Sequence, residues 1–166
     1  MSGPVLTVSS ARMPAGYSQR ALADKLGIKP GSSLLLVRPP EGYATTLGAL
    51  PPGVRLEGRL RDRLDLVHAF VLRRGDLVRG IAAWRQAIFP AGTLWVSWPK
   101  KAAKVPTDLT EDVVREVALE HGLVDVKVCA VDQVWSGLKL VVPLKDRPAA
   151  PKRRVKAPPI VRAGKR

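Results

Sequence analysis

A short apolar run, T-L-W-V-S-W over residues 93–98, stops abruptly at Pro99, Lys100 and Lys101 and leaves the surrounding chain few options. Alternate positions are all large and apolar on one side, and Trp95 lies on the other, so a strand built from this run needs cover on both faces. It follows a helical repeat, with Leu77, Ile81, Trp84 and Ile88 three or four residues apart, and then the turn Pro90-Ala91-Gly92. Helix, turn and buried strand make up the unit from which parallel sheets with helices on both faces are assembled. The predicted class is therefore α/β. In open sheets of this kind ligands bind outside the carboxyl ends of the strands. The basic, aromatic end of the run marks a candidate ligand-facing edge.

The rest of the chain repeats the pattern. Residues 18–26 predict a short helix, with Ser18 as its cap, Tyr17 stapled to Leu22 and Gly27 as a left-handed stop. S-L-L-L-V at 33–37 reads as the first strand, residues 54–57 as the second and L-D-L-V-H-A-F-V-L at 64–72 as the third. A helix begins at Asp76, and another follows the buried run from about Asp108, where Asp108-x-x-Glu111 is spaced as a capping box and Leu109, Val113 and Val117 form the apolar seam. The apolar runs 124–131 and 134–143, separated by a turn within residues 132–137, predict a closing antiparallel hairpin. His68 falls among apolar neighbours in mid-strand without an orienting acid, which reads as a hydrogen-bonded core histidine.

Charge is distributed unevenly. The net charge is +14, and residues 145–166 carry nine of the 28 basic residues and one of the 14 acidic ones. That segment is rich in proline and poor in large apolar side chains, so it reads as a disordered basic tail. Lys152, Arg153, Arg154 and Lys156 are its candidate nucleic-acid contacts, since clustered cations gain from counterion release; a tail that only aids solubility is the other reading. Residues 1–16 read as a second disordered arm, and residues 17–144 as a single domain. A lone cysteine, Cys129, cannot form an intramolecular disulfide, reads as inert core and, with two histidines, makes a metal site unexpected. The opening residues lack a basic lead-in, and no run approaches the roughly 18 apolar residues of a membrane span. A cytoplasmic protein without a membrane partner is expected.

These elements resemble the second half of class I S-adenosylmethionine-dependent methyltransferases. The likeness is carried by L-D-L-V-H-A-F, the helix ending W-R-Q-A-I, F-P-A-G-T-L-W-V-S and the final hairpin, and it covers residues 33–144. It implies a three-layer, Rossmann-like, methyltransferase-like fold with a mostly parallel sheet. The chain is also similar to a bacterial family of unknown function marked by L-A-x-K-L-G-I-K-P-G, P-E-G-Y, L-W-V-S-W-P-K-K, V-P-T-D-L-T-E-D-V-V-R-E and D-V-K-V-C-A-V-D. That resemblance spans residues 16–140 and implies no activity. Where methyltransferases carry an acidic, glycine-rich cofactor loop after the first strand, this chain has R-P-P-E-G-Y. Its two prolines remove amide donors and Glu41 adds negative charge, so no cofactor is expected, with S-adenosylmethionine as the alternative. Glu57 lies twenty positions beyond Val37, about where an acid reaches ribose hydroxyls; a charge closing a strand is its other reading.

Parallel strands joined by right-handed crossovers end on one edge. The loops at 38–43, after Phe70, at 98–101 and at 132–137 are thus expected to converge. Tyr43, Trp98 and Trp135 would supply aromatic faces, and Arg38, Lys100 and Lys101 positive charge, for an anionic small molecule or a protein partner. Glu41 and Asp132 would contact the ligand or pair with the lysines. No nucleophile stands beside a base, since Ser97 lacks the glycine elbow that would expose it, and no catalytic residue is assigned.

Overall fold

A computed structural model of the chain describes residues 21–148. Six strands form one sheet: β1 Ser33–Val37, β2 Arg55–Glu57, β3 Leu66–Phe70, β4 Thr93–Pro99, β5 Val124–Ala130 and β6 Trp135–Val141, in the order β2-β1-β3-β4-β6-β5. β1 runs parallel to β2 and β3, and β3 parallel to β4. The hairpin completes the sheet on the β4 side, with β6 between β4 and the edge strand β5 and antiparallel to both. The predicted class, mostly parallel α/β with a terminal antiparallel hairpin, is the observed one.

Strand alternation sorts side chains into two cores. Leu35, Val67, Ala69, Leu94, Val96 and Trp98 face α3 (Arg74–Ile88) and α4 (Glu111–Glu120). Leu34, Leu66, Phe70 and Trp95 face α1 (Leu22–Leu26) and α2 (Tyr43–Leu47). In α3, Leu77, Ile81, Trp84 and Ile88 are buried as their spacing requires. β4 is buried along its whole length after Thr93, and Trp95 within it is fully enclosed. Its indole Nε1–H donates to the Leu26 carbonyl at 2.8 Å, fastening the end of α1 to the middle of the sheet. At the opposite end of β1, the Asp65 carboxylate accepts from the Ser33 amide at 2.9 Å while Ser33 Oγ accepts from the Asp65 amide at 3.0 Å. The entries to β1 and β3 are thereby locked together.

Several local expectations shift. The helix at 111–120 is capped by Thr110, whose side chain accepts from the Val113 amide; Asp108 instead accepts from the Arg74 amide at 2.7 Å and so joins the start of α3. α3 itself begins at Arg74, two residues before Asp76. β5 is an edge strand, so its apolar composition does not make it core: Val126 is 52% and Val128 48% exposed. Cys129 is correspondingly half-buried rather than enclosed. Beyond β6, a 3-10 turn at Leu144–Asp146 and a bond from Arg147 Nε to the Val142 carbonyl belong to the described fold. The Tyr17 staple, the Ser18 cap, the arm at 1–16 and the tail cations Lys152, Arg153, Arg154 and Lys156 lie outside the described residues. Among the described residues no helix is long and apolar enough to cross a membrane, and no His, Cys, Asp or Glu group is arranged to hold a metal ion.

The turn between α3 and β4 admits glycine alone at position 92. A Cβ there would press on the Leu64 carbonyl oxygen and on Ile88; Ile88 is fixed within α3, and Leu64 by its amide's 2.8 Å bond to the Ala87 carbonyl. Gly92→Ala is expected to lower the unfolding free energy by about 1–3 kcal/mol, the usual range for overpacking. Urea denaturation followed by tryptophan fluorescence measures it, and an unchanged midpoint would show that the turn yields.

Candidate functional site

The parallel register brings the carboxyl ends of β1, β3 and β4 to one edge, and pairing of Pro99 with Trp135 puts the β5–β6 turn there too. Crossovers leave β1 and β3 in opposite directions, β1 toward β2 and β3 toward β4, so a crevice opens between their carboxyl ends. This reversal is where open α/β sheets hold ligands.

The crevice is present on the α3 side as a cavity of about 380 Å³. Val37 and Val71 line it from the strand ends, Gly80 and Trp84 from α3, and Arg38, Asp76 and Arg79 supply its charge. The sequence folds this way for identifiable reasons. Arg38 leaves β1 with φ 54°, a left-handed conformation that precedes Pro39, and its guanidinium lies 3.7 Å from Asp76. Asp76 stands in the first turn of α3, where a carboxylate is favoured by the helix dipole, and it also accepts from Arg79 one turn later. Trp84 lies directly over Gly80, where a Cβ would collide with the indole. Both arginine side chains are at least 70% exposed, so neither ion pair is strong.

A second cavity of about 450 Å³ lies at the end of β2, lined by Glu57, Gly58, Arg59 and Arg61. Glu57 is paired there with Arg61 at 3.4 Å and Arg55 at 3.9 Å.

The predicted site residues separate. Arg38 lines the crevice. Lys100 and Lys101 stand on the same edge at the end of β4, half-exposed and exposed, and Glu41 is exposed on the β1 loop. Tyr43 and Trp98 are core residues, not ligand faces, at 3% and 6% exposure. They also point to opposite sides of the sheet: Trp98 packs under α3 and α4, whereas Trp135 joins Tyr43 in the other core. The two tryptophans therefore do not share a rim. Pairing explains this, because Trp98 lies opposite Ser136, and Trp135 one residue away faces the other way. The Asp132 carboxylate is taken up by the Val134 and Trp135 amides, both at 2.8 Å, and braces the hairpin instead of pairing with the lysines.

Tyr43 is drawn inward by a buried polar chain. Its hydroxyl lies 2.9 Å from His68 Nδ1, and His68 Nε2 lies 2.7 Å from Ser97 Oγ. His68 stacks on Phe70 with centroids 4.2 Å apart, and Phe70 meets Tyr43 and Trp135 edge to face. Burial pushes the His68 imidazolium down to about pH 3, so the ring is neutral, and burial followed by the nearby Asp132 and Cys129 raises the Tyr43 phenol above its ordinary value. Ser97, the histidine and the phenol fill one another's hydrogen-bonding needs, as expected for His68; contrary to expectation the Ser97 hydroxyl does stand beside a base, but both groups are fully buried. Asp76 and Trp84, which their spacing assigns only to helix start and core, and Arg79, which the sequence does not single out, join the candidate site. Their signal was the i, i+3 acid–base pair in the helix that follows β3.

No protein-family model and no curated protein matches the sequence. Solved structures do match its fold. A SAM-dependent methyltransferase from Aquifex aeolicus aligns with a TM-score of 0.55 at 12% identity over 74% of this chain and 88% of that one. Magnesium protoporphyrin IX methyltransferase from Synechocystis PCC 6803, solved with bound SAM, aligns at 0.51 and 10% identity over 74% of each chain. The fibrillarin pre-rRNA processing protein of Methanococcus jannaschii aligns at 0.50 and 10% identity over 69% of this chain and 68% of that one. The fold is that of the class I SAM-dependent methyltransferases.

The buried histidine sets a pH dependence. In the unfolded chain His68 takes up a proton near pH 6.5, but in the fold it resists until about pH 3. Between those values the unfolded state holds more protons, so stability falls as pH falls through that window. His68→Phe, which keeps a ring against Phe70, should flatten the stability profile between pH 6.5 and 4 by up to ~1.4 kcal/mol per pH unit. Denaturant titrations across that range read the difference; parallel profiles would mean that His68 is protonated in the fold.

Proposed function

We propose that this chain is a methyltransferase-like binding module that takes an anionic ligand, either a small molecule or an acidic segment of a partner protein, in the crevice between β1 and β3 and does not transfer methyl groups. One observation carries the reading: two exposed guanidiniums, Arg38 and Arg79, share a single carboxylate at the mouth of a cavity whose inner wall is apolar. A forked guanidinium matches a phosphate or carboxylate with two parallel bonds. The Val37, Val71 and Trp84 surface suits an apolar or ring-bearing portion of the same ligand.

The entrance after β1 supports a role without S-adenosylmethionine. Pro39 and Pro40 have no amide hydrogen, and the Tyr43 amide is spent on the Pro40 carbonyl at 3.1 Å. The Tyr43 ring fills the space beneath the loop, and Glu57 is held by Arg55 and Arg61 instead of standing ready for ribose hydroxyls. These residues do not fit an adenosyl cofactor. Ser97 is enclosed and bonded to His68, so the site also lacks an exposed nucleophile.

A thermal-shift and calorimetric panel of nucleoside mono- and diphosphates, dicarboxylates and S-adenosylmethionine tests the proposal. At least one anion should bind, and Arg38→Ala and Arg79→Ala should each weaken it by about tenfold or more, the worth of one hydrogen bond to a charged group. Unchanged affinity in both variants would refute the crevice, and methyl transfer from S-adenosylmethionine by the full chain would make the protein a divergent methyltransferase.

A further inference from the structure

A second cationic site lies on the other face of the sheet, apart from the crevice and independent of it. In the β5–β6 hairpin Lys127 stands directly opposite Lys139. Cross-strand neighbours share a face and lie close together, and like charges in that position destabilise the pair. Cys129, two residues from Lys127 along β5, and Trp135, four residues from Lys139 along β6, pack against the core beneath α1 and α2. The two lysines therefore occupy that same face.

Lys139 also pairs with Trp95 of β4, the residue tied to the end of α1, and Lys29 follows α1 by three positions. Burial and then the charges of Lys127 and Lys29 hold the Lys139 ammonium below its ordinary pKa, so both cations bear on Lys139. Lys29 and Lys127 are exposed and Lys139 is half-buried. Among the described residues, every ion pair is made by arginine, and no carboxylate lies within ion-pair distance of the three lysines, although Asp65 shares a cavity wall with Lys29. A fold that places two lysines opposite each other without an acid keeps a repulsion that a single substitution would remove.

We propose that Lys29, Lys127 and Lys139 form a phosphate-binding site for the backbone of single-stranded nucleic acid on the open face of the β5–β6 hairpin. Three features favour this partner over an isolated anion. Lys127 and Lys139 stand side by side on a strand pair, with Lys29 at the rim of a neighbouring cavity, so the charge is spread along a surface. Trp135 is half-buried on the same face, four residues or about 13 Å along β6 from Lys139, within reach of a neighbouring base. The net charge of +14 also favours a polyanion, because each phosphate neutralised releases a counterion.

The experiment is fluorescence anisotropy of the full chain with a labelled single-stranded oligonucleotide across a salt series, beside thermal denaturation. Lys127→Glu places an acid opposite Lys139, so it should raise the melting temperature while weakening oligonucleotide binding by about tenfold. Opposite signs in the two measurements separate lost binding from lost folding. Lys139→Met keeps the stem, removes the charge and should reduce the salt slope by about 0.7, the contribution of one contact on a single strand. Unchanged affinity and slope in both variants would overturn the proposal. So would a wild-type chain that binds inorganic phosphate or anionic phosphatidylserine vesicles but not the oligonucleotide.

Discussion

A strand covered on both faces has no solvent side to absorb error, and β4 is that strand here. Leu94, Val96 and Trp98 meet α3 and α4, while Trp95 and Ser97 meet the layer of α1 and α2. Slipping β4 by one residue would exchange the two sets and bury the wrong shapes. Polar atoms in this strand add direction to what hydrophobic burial leaves loose. The Trp95 indole must find an acceptor, and the Leu26 carbonyl supplies it. Ser97 must find a partner, and His68 supplies it, passing the requirement on to Tyr43. Each neutral bond adds only about 0.5–1.5 kcal/mol, but leaving a buried partner unpaired costs about 1–3 kcal/mol. That asymmetry fixes where two five-residue helices sit, which their own length could not do.

The same chain of contacts shapes the carboxyl edge of the sheet. Pulling Tyr43 into the core closes the β1 loop over one face of the sheet, and Gly42, with φ 82°, lets the chain turn sharply into α2. Arg38 then departs toward the other face, where Asp76 and Arg79 stand at the start of α3. The crevice lies on the α3 side because the opposite side is already filled by aromatic rings. Fold and entrance are coupled through one phenol.

Much of this architecture could be read from residue order. Continuous apolar runs announce β1, β3 and β4, and the Leu77-Ile81-Trp84-Ile88 spacing announces α3 and its buried face. What escaped depends on contacts between distant positions. Tyr43 follows P-E-G and looks like a loop aromatic, but its partner His68 lies 25 residues away. Trp98 and Trp135 look alike in sequence, and only the pairing of Trp98 with Ser136 reveals that they face apart. Residues 124–131 read as another apolar run, but Asp125 and Lys127 interrupt it and its place at the sheet edge exposes Val126 and Val128, so strand order outweighs the valines. Thr110 displaced Asp108 as the α4 cap because Asp108 had a competing amide in Arg74, on a helix 34 positions earlier.

Arginine in this protein serves two ends, and local charge balance distinguishes them. Arg115 reaches Glu111, Asp112 and Asp125, three carboxylates around one guanidinium, so its surroundings carry excess negative charge and an arriving anion would be repelled. It binds α4 to β5 and has no capacity left over. Arg38 and Arg79 are in the reverse condition, two guanidiniums around the one carboxylate of Asp76. Replacing a weak, solvent-exposed pairing with a bidentate anion would lose little and satisfy more donors. Arg55 and Arg61 around Glu57 have the same surplus of one positive charge, so the proposed anion site rests on that surplus together with its place at the reversal point of the sheet and the apolar wall beside it.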